Sequence, residues 1–188
     1  MNIGSYAMED YLNLVRSFHG TAAPGLIIGG FMVNMAQRSL PQGKLYDAIS
    51  ETHTCLPDAI QLLTPCTIGN GWMKILGFGR YALCLYDKYT GEGVRVYLDP
   101  AKLELWPEIR DWFLKRKAKK EQDSVLLQQQ LIEAGESILS MTKVKVDPHS
   151  LKRGGKGAIV ICPACGEAFP ARDGATCLAC QGQSPYKG

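Results

Sequence analysis

Cys162-Pro163-Ala164-Cys165 and Cys177-Leu178-Ala179-Cys180 form two CxxC pairs separated by eleven residues. This spacing lets four thiolates converge on one tetrahedral ion. Each CxxC turn presents two sulfurs on one side, and Gly166 after Cys165 permits a tight knuckle. Zinc is the expected ion, because thiolate is a soft ligand and a closed four-sulfur shell leaves no coordination position for substrate. A segment of about thirty residues cannot bury enough core to fold alone, so the metal would supply its folding energy. The other readings of the spacing are a redox CxxC, a disulfide pair and an iron–sulfur site, and the spacing favours structural zinc over them. The pattern predicts a zinc-ribbon or treble-clef module without naming its partner.

A second group lies in turn-rich segments of the first seventy residues: His19, then Cys55 and Asp58, then Cys66. Loops carry chemistry more often than core elements do. Imidazole and thiolate together make a fair set of ligands for a transition ion. Each residue also has a plainer reading. His19 suits a helix terminus, Cys55 and Cys66 suit small buried apolar positions, and Asp58 suits the first turn of a helix. His53 and His149 read as surface residues and Cys84 as core.

The elements that would position these groups follow from the hydrophobic pattern. Met8, Tyr11, Leu12, Val15 and Phe18 fall on one helical face, with Ser5 as cap and Gly20 as stop. Pro24 opens a second helix, Gly25 to Arg38, apolar on nearly all sides and therefore buried, with Gly25, Gly29 and Gly30 permitting close approach of another backbone. Strands are predicted at 45–51, 72–76, 80–86 and 94–98, a helix at 59–63, and a hairpin turn at 89–93. Asp99-Pro100 is a helix-start signal. Residues 107–141 read as one long helix or two broken ones, with Val125, Ile132 and Leu139 at sevenfold spacing, wrapping a sheet or pairing with a second copy of the chain. Residues 143–157 read as a basic, glycine-containing linker. The domains are thus 1–142, a core with a long C-terminal helix; 143–157, the linker; and 158–188, the four-cysteine finger.

Over 188 residues, 46% are hydrophobic and 21% charged, which argues against wholesale disorder. A formal net charge of +3 falls far short of a dedicated nucleic-acid binder. No apolar run is long enough to span a bilayer, and no secretory signal is visible at Met1 to Ser5, so a reducing cytoplasm is expected, where cysteines serve metal or thiol chemistry. Gly69-Asn70-Gly71 and Gly77-Phe78-Gly79-Arg80 lack the Lys-Ser or Lys-Thr of a phosphate loop and read as turns. Lys115 to Lys120 forms a basic cluster on a helix, suited to nucleic acid, to an acidic partner or simply to solvent.

Phe18-His19-Gly20, Pro24-Gly25-Leu26, Glu51-Thr52-x-x-Cys55-x-x-Asp58-Ala59-Ile60-Gln61 and Thr64-x-Cys66-Thr67-x-Gly69-x-Gly71, in this order, resemble the FmdE family, named for the FmdE component of molybdenum/tungsten formylmethanofuran dehydrogenase. The resemblance covers about residues 10–100 and the terminal four-cysteine unit. It implies an α+β fold, with helices packed on a mostly antiparallel sheet, an intertwined homodimer, and an auxiliary treble-clef zinc finger. It also implies methanogen-type one-carbon metabolism, with the tungsten or molybdenum chemistry on other components of the enzyme. It further implies that His19, Cys55 and Cys66 gather in one pocket with Asp58 nearby, holding a second metal. The chain departs from the family's Phe-His-Gly-His-x-Cys-Pro-Gly: Thr21 and Ala23 stand where a histidine and a cysteine would be. Such a metal site would be weakened or lost.

Three functions follow. The first is an accessory component of molybdenum- or tungsten-dependent one-carbon redox enzymes, with the finger as docking element. The second is a metal-sensing or regulatory protein whose finger and basic helix touch protein or nucleic acid. The third is a small metal-dependent enzyme using the core His/Cys pocket. The first is favoured, with a homodimer and enzyme subunits as partners, nucleic acid as the weaker candidate and no membrane.

Overall fold

A helix with apolar side chains on every side has nowhere to lie but inside. Pro24–Arg38 (α2) lies there, with ten of its residues between Gly25 and Ala36 buried. The computed structural model describes residues 2–147, 151 and 157–186. The chain divides into two units, Met1–Pro148 and His149–Gly188.

In the first unit, α2 packs against two other helices through its glycines. A Cβ on Gly30 would fall 2.7 Å from the Tyr11 ring, and one on Gly29 would fall 2.7 Å from the Ala59 Cβ. The close approach is thus made by side chains of Met8–His19 (α1) and Leu56–Leu63 (α3), not by a second backbone. The Tyr11 hydroxyl donates to the Leu26 carbonyl at 2.7 Å, so its polar end is satisfied inside the core. Ser5 does not cap α1. Asn2–Ile3 (β1) and Tyr6–Ala7 (β2) form a small hairpin with Ser5 in its turn, and Ala7 precedes the helix without a side-chain cap.

Five strands form the main sheet: Tyr46–Ser50 (β3), Met73–Ile75 (β4), Ala82–Asp87 (β5), Glu92–Leu98 (β6) and Leu139–Lys145 (β7). Their order is β4-β3-β5-β6-β7. Only β3–β4 is parallel, with Ala48 opposite Met73, and α3 makes the crossover. β5 sits centrally, with Ile49 opposite Cys84 and Leu85 opposite Val94, and all six of its residues are buried. The helices and the mostly antiparallel sheet make this an α+β fold, with α2 against β5 and β6.

Two expectations are corrected. Of the two readings of residues 107–141, the broken one holds, and only as far as Ala134. Pro107–Phe113 (α4) ends where Lys115 takes a φ of 55°, and Ser124–Ala134 (α5) starts afresh where the Asp123 carboxylate accepts from the Val125 and Leu126 amides. Leu139 and Met141 belong to β7, and Val125 is 77% exposed, so the sevenfold stripe is no continuous seam. Lys115 to Lys120 therefore sits mainly on the connection between two helices. The basic linker also begins later than its composition suggests, because Lys143 and Lys145 are rungs of β7 opposite Val94 and Glu92. His149, Lys152, Arg153 and Lys156 lie outside the described residues.

One buried charge braces the sheet. Glu51 is 5% exposed and receives Arg95 through both carboxylate oxygens, at 2.7 and 2.8 Å, and Arg80 at 2.7 Å. Burial alone would raise this carboxyl, but Arg95 and Arg80 outweigh it and hold it below the usual carboxylate range. A carboxyl depressed on folding adds stability above its unfolded pKa of about 4.3 and loses it as pH falls through the folded value. Glu51→Gln is expected to cost about 2 kcal/mol at neutral pH, discounted because Arg80 reaches solvent, with the deficit shrinking in acid. Urea midpoints at neutral and acid pH check this.

In the second unit, Ile159–Ile161 (β8) pairs with Ala168–Pro170 (β9), Val160 standing opposite Phe169. Phe169, 6% exposed, is the apolar centre of this small unit.

Candidate metal centre and core pocket

The strand pair β8–β9 delivers the first two sulfurs. Cys162 follows β8, and its carbonyl accepts from the Gly166 amide at 2.9 Å, closing the knuckle around Pro163-Ala164-Cys165. Gly166 has a φ of +78°, which only a residue without a side chain adopts freely. The second pair lies on Cys177 and on the helical turn Ala179–Gln183. The four sulfurs all lie within 4.8 Å of one another, and Cys165 and Cys177 are 3.7 Å apart. Ligands about 2.3 Å from a central zinc stand roughly 3.8 Å from each other. A disulfide needs sulfurs about 2 Å apart, and all four thiols are free.

The electrostatics match. Amides of Cys177 and Cys165 pull the Cys162 thiol down to about 6, the Cys177 amide reaching its sulfur at 3.4 Å. Hydrogen bonding to the neighbouring cysteines, Cys177 foremost, pushes Cys180 up to about 12. Four thiolates this close repel one another, and a divalent cation is what allows all four to ionise. The donor set therefore fits zinc.

The core residues gather only in part. His19, at the end of α1, meets Asp58, in the first turn of α3, with Nδ1 to Oδ2 at 2.7 Å. Cys55 precedes α3 in a three-residue γ-turn, with φ 55° and ψ −49°, the Leu56 amide donating to the Thr54 carbonyl at 2.5 Å. Gly25 makes room for it, since a Cβ there would lie 2.8 Å from the Cys55 Cβ and 2.7 Å from the Tyr81 hydroxyl. That hydroxyl donates to the Gly25 carbonyl at 2.5 Å. Cys66 goes elsewhere: it is 1% exposed, and its thiol donates to the Tyr46 carbonyl at 3.2 Å. The expected convergence of His19, Cys55 and Cys66 is not formed, because β3 draws Cys66 into the core. Among the described residues, the terminal quartet alone brings three or more such ligand atoms together.

Cys55 lines a cavity of about 630 Å³ between the start of α2, the γ-turn and the α4–α5 connection. Ala23, Pro24 and Gly25 form part of its wall, as do Tyr81, Trp112 and Phe113. The sequence pointed to Cys55 but not to these aromatic groups. The signal was available in Trp112-Phe113 running straight into the basic cluster. His53 is exposed and Cys84 buried, as expected.

The thiols should differ in reactivity. Burial pushes Cys84 up to about 12 and raises Cys66 and Cys55 as well, so the difference is one of access: Cys66 and Cys84 are buried, whereas Cys55 is half-buried and borders an open cavity. Iodoacetamide is expected to modify Cys55 in the folded chain and Cys66 and Cys84 at least about a hundredfold more slowly, as read by peptide mass spectrometry.

With this geometry in place, comparison with known proteins fixes the class. The family model described as FmdE, molybdenum formylmethanofuran dehydrogenase operon, matches residues 18–146, and the FmdE treble clef zinc finger matches residues 153–187. The chain belongs to the FmdE family. A crystal structure of a tungsten formylmethanofuran dehydrogenase FmdE-like protein from Syntrophus aciditrophicus superposes with a TM-score of 0.91 at 56% identity, over 99% of this chain and 98% of that one. A probable S-adenosyl-L-methionine-binding protein of Archaeoglobus fulgidus is 28% identical over 89% of this chain. The chain spans 51% of that protein's length. Among the described residues, no helix is long and apolar enough to cross a membrane.

Proposed function

We propose that this chain is a zinc-binding accessory protein that works beside molybdenum- or tungsten-dependent one-carbon redox enzymes, with its terminal finger as the docking element. The observation that carries this reading is the pairing of an FmdE core with a four-sulfur cluster closed around its own centre. Such a cluster has no open position for substrate, so the finger holds a surface in shape and does no chemistry of its own. Structural zinc is the resident ion on this account, and a homodimer the working state.

The test is a pull-down from native extract with the full chain as bait. Recovery of molybdenum- or tungsten-enzyme subunits, lost with Cys177→Ser, is the expected result. Recovery that survives loss of the finger would move the docking surface to the core. Recovery of no such component would remove the proposed role.

A further inference from the structure

Two non-glycine positions among the described residues have positive φ, Cys55 and Lys115, both at 55°. Both line the cavity of about 630 Å³ described above. Backbone of this kind is costly for a residue with a side chain and concentrates at ligand sites, where the surroundings enforce it. The cavity's size suits a whole small organic molecule.

Its charge is one-sided. Lys115, Lys117 and Lys119 line it, and no aspartate or glutamate does. Lys117 is already held by Glu108 at 2.6 Å and Asp111 at 3.2 Å. No carboxylate pairs with Lys115 or Lys119 among the described residues. The Lys115 ammonium stands 5.6 Å from the Trp112 ring centre, and Trp112 and Phe113 lie side by side with ring centres 6.2 Å apart. A cleft lined by cations with aromatic walls concentrates anions, and flat ones most of all.

We propose that this cavity binds a small organic anion with a flat conjugated ring, its carboxylate or phosphate held by Lys115 and Lys119 and its ring against Trp112 and Phe113. Cys55 then lies within the covered space, so a bound ligand shields its thiol. A sulfonium compound such as S-adenosylmethionine brings a positive charge that these lysines repel. The inference stands apart from the docking role, which the finger carries.

The test uses the full chain and a matched pair of probes, 2-naphthoate and neutral 2-naphthamide. The readout is the rate of Cys55 modification by iodoacetamide, with circular dichroism as a check on folding. Saturating 2-naphthoate is expected to slow Cys55 about tenfold, 2-naphthamide to leave it unchanged, and added salt to weaken the protection. Lys115→Gln with Lys119→Gln should abolish the protection, and Lys119→Gln alone, at an exposed site, should weaken it. Absence of protection by 2-naphthoate, equal protection by both probes, protection that survives the double substitution, or protection by S-adenosylmethionine alone would each overturn the proposal.

Discussion

Cys162→Ser is expected to cost the chain its zinc and, with it, the fold of residues 157–186, while residues 2–147 stay folded. The small unit has little else to hold it. Phe169 and Cys162 are its buried apolar residues, 6% and 1% exposed, and β8–β9 is a three-residue pair. Metal binding by such a unit is folding free energy, about 10–16 kcal/mol for a complete ligand set at neutral pH. Serine supplies a harder oxygen with little tendency to ionise, and it also weakens the acceptor that the Cys177 amide now reaches at 3.4 Å. Amide resonances of the finger should collapse to unfolded positions in Cys162→Ser and in parent protein treated with a strong chelator. Those of β3, β5 and β6 should not move. Dispersed finger resonances in the metal-free variant would show that the unit folds without its ion.

Gly93→Ala is expected to destabilise the core by about 3 kcal/mol and to lower its melting temperature by about 10 °C. Gly93 lies in β6, opposite Tyr86 on one side and Val144 on the other. A Cβ there would press into the Leu85 carbonyl oxygen and fall 2.7 Å from the Tyr86 Cα. These are backbone atoms of a central ladder, so relief requires β5 and β6 to part and lose hydrogen bonds. Gly69→Ala is the control, since the nearest atom to its Cβ is the Thr67 hydroxyl at 3.9 Å, and its effect should stay within about 0.5 kcal/mol. Equal melting temperatures for the two variants would contradict the packing described for β5 and β6.

Where local pattern and tertiary need agreed, the sequence was informative. The unbroken apolar character of α2 predicted its burial, alternation predicted β5, and the turn at 89–93 predicted its hairpin with β6, although Glu92 and Gly93 already belong to that strand. The two CxxC pairs were legible because a tetrahedral ion imposes its own spacing. The segment after Pro107 was legible in part: two broken helices are among its readings, but apolar residues at helical spacing run on past Ala134 and give no sign of where the break falls or that the helix gives way to β7. Lys115 takes positive φ without being glycine, and Asp123 restarts the helix, so Met141 falls on a strand instead of a seam. The core site was half legible. His19 and Asp58 meet, yet Cys66 shares their neighbourhood in sequence only, since β3 accepts its thiol on the buried side. The cavity walls come from residues far apart along the chain, Gly25, Cys55, Tyr81 and Trp112 among them, and no spacing rule joins them.

The central claim is that four sulfurs at the end of the chain close around one zinc. Elemental analysis of natively purified full-length protein tests it most directly. One zinc per chain, lost when Cys177 and Cys180 are replaced and retained when His19 and Cys55 are replaced, is the result this account requires. A chain free of zinc, or one whose metal departs with Cys55 and not with Cys177, would contradict it.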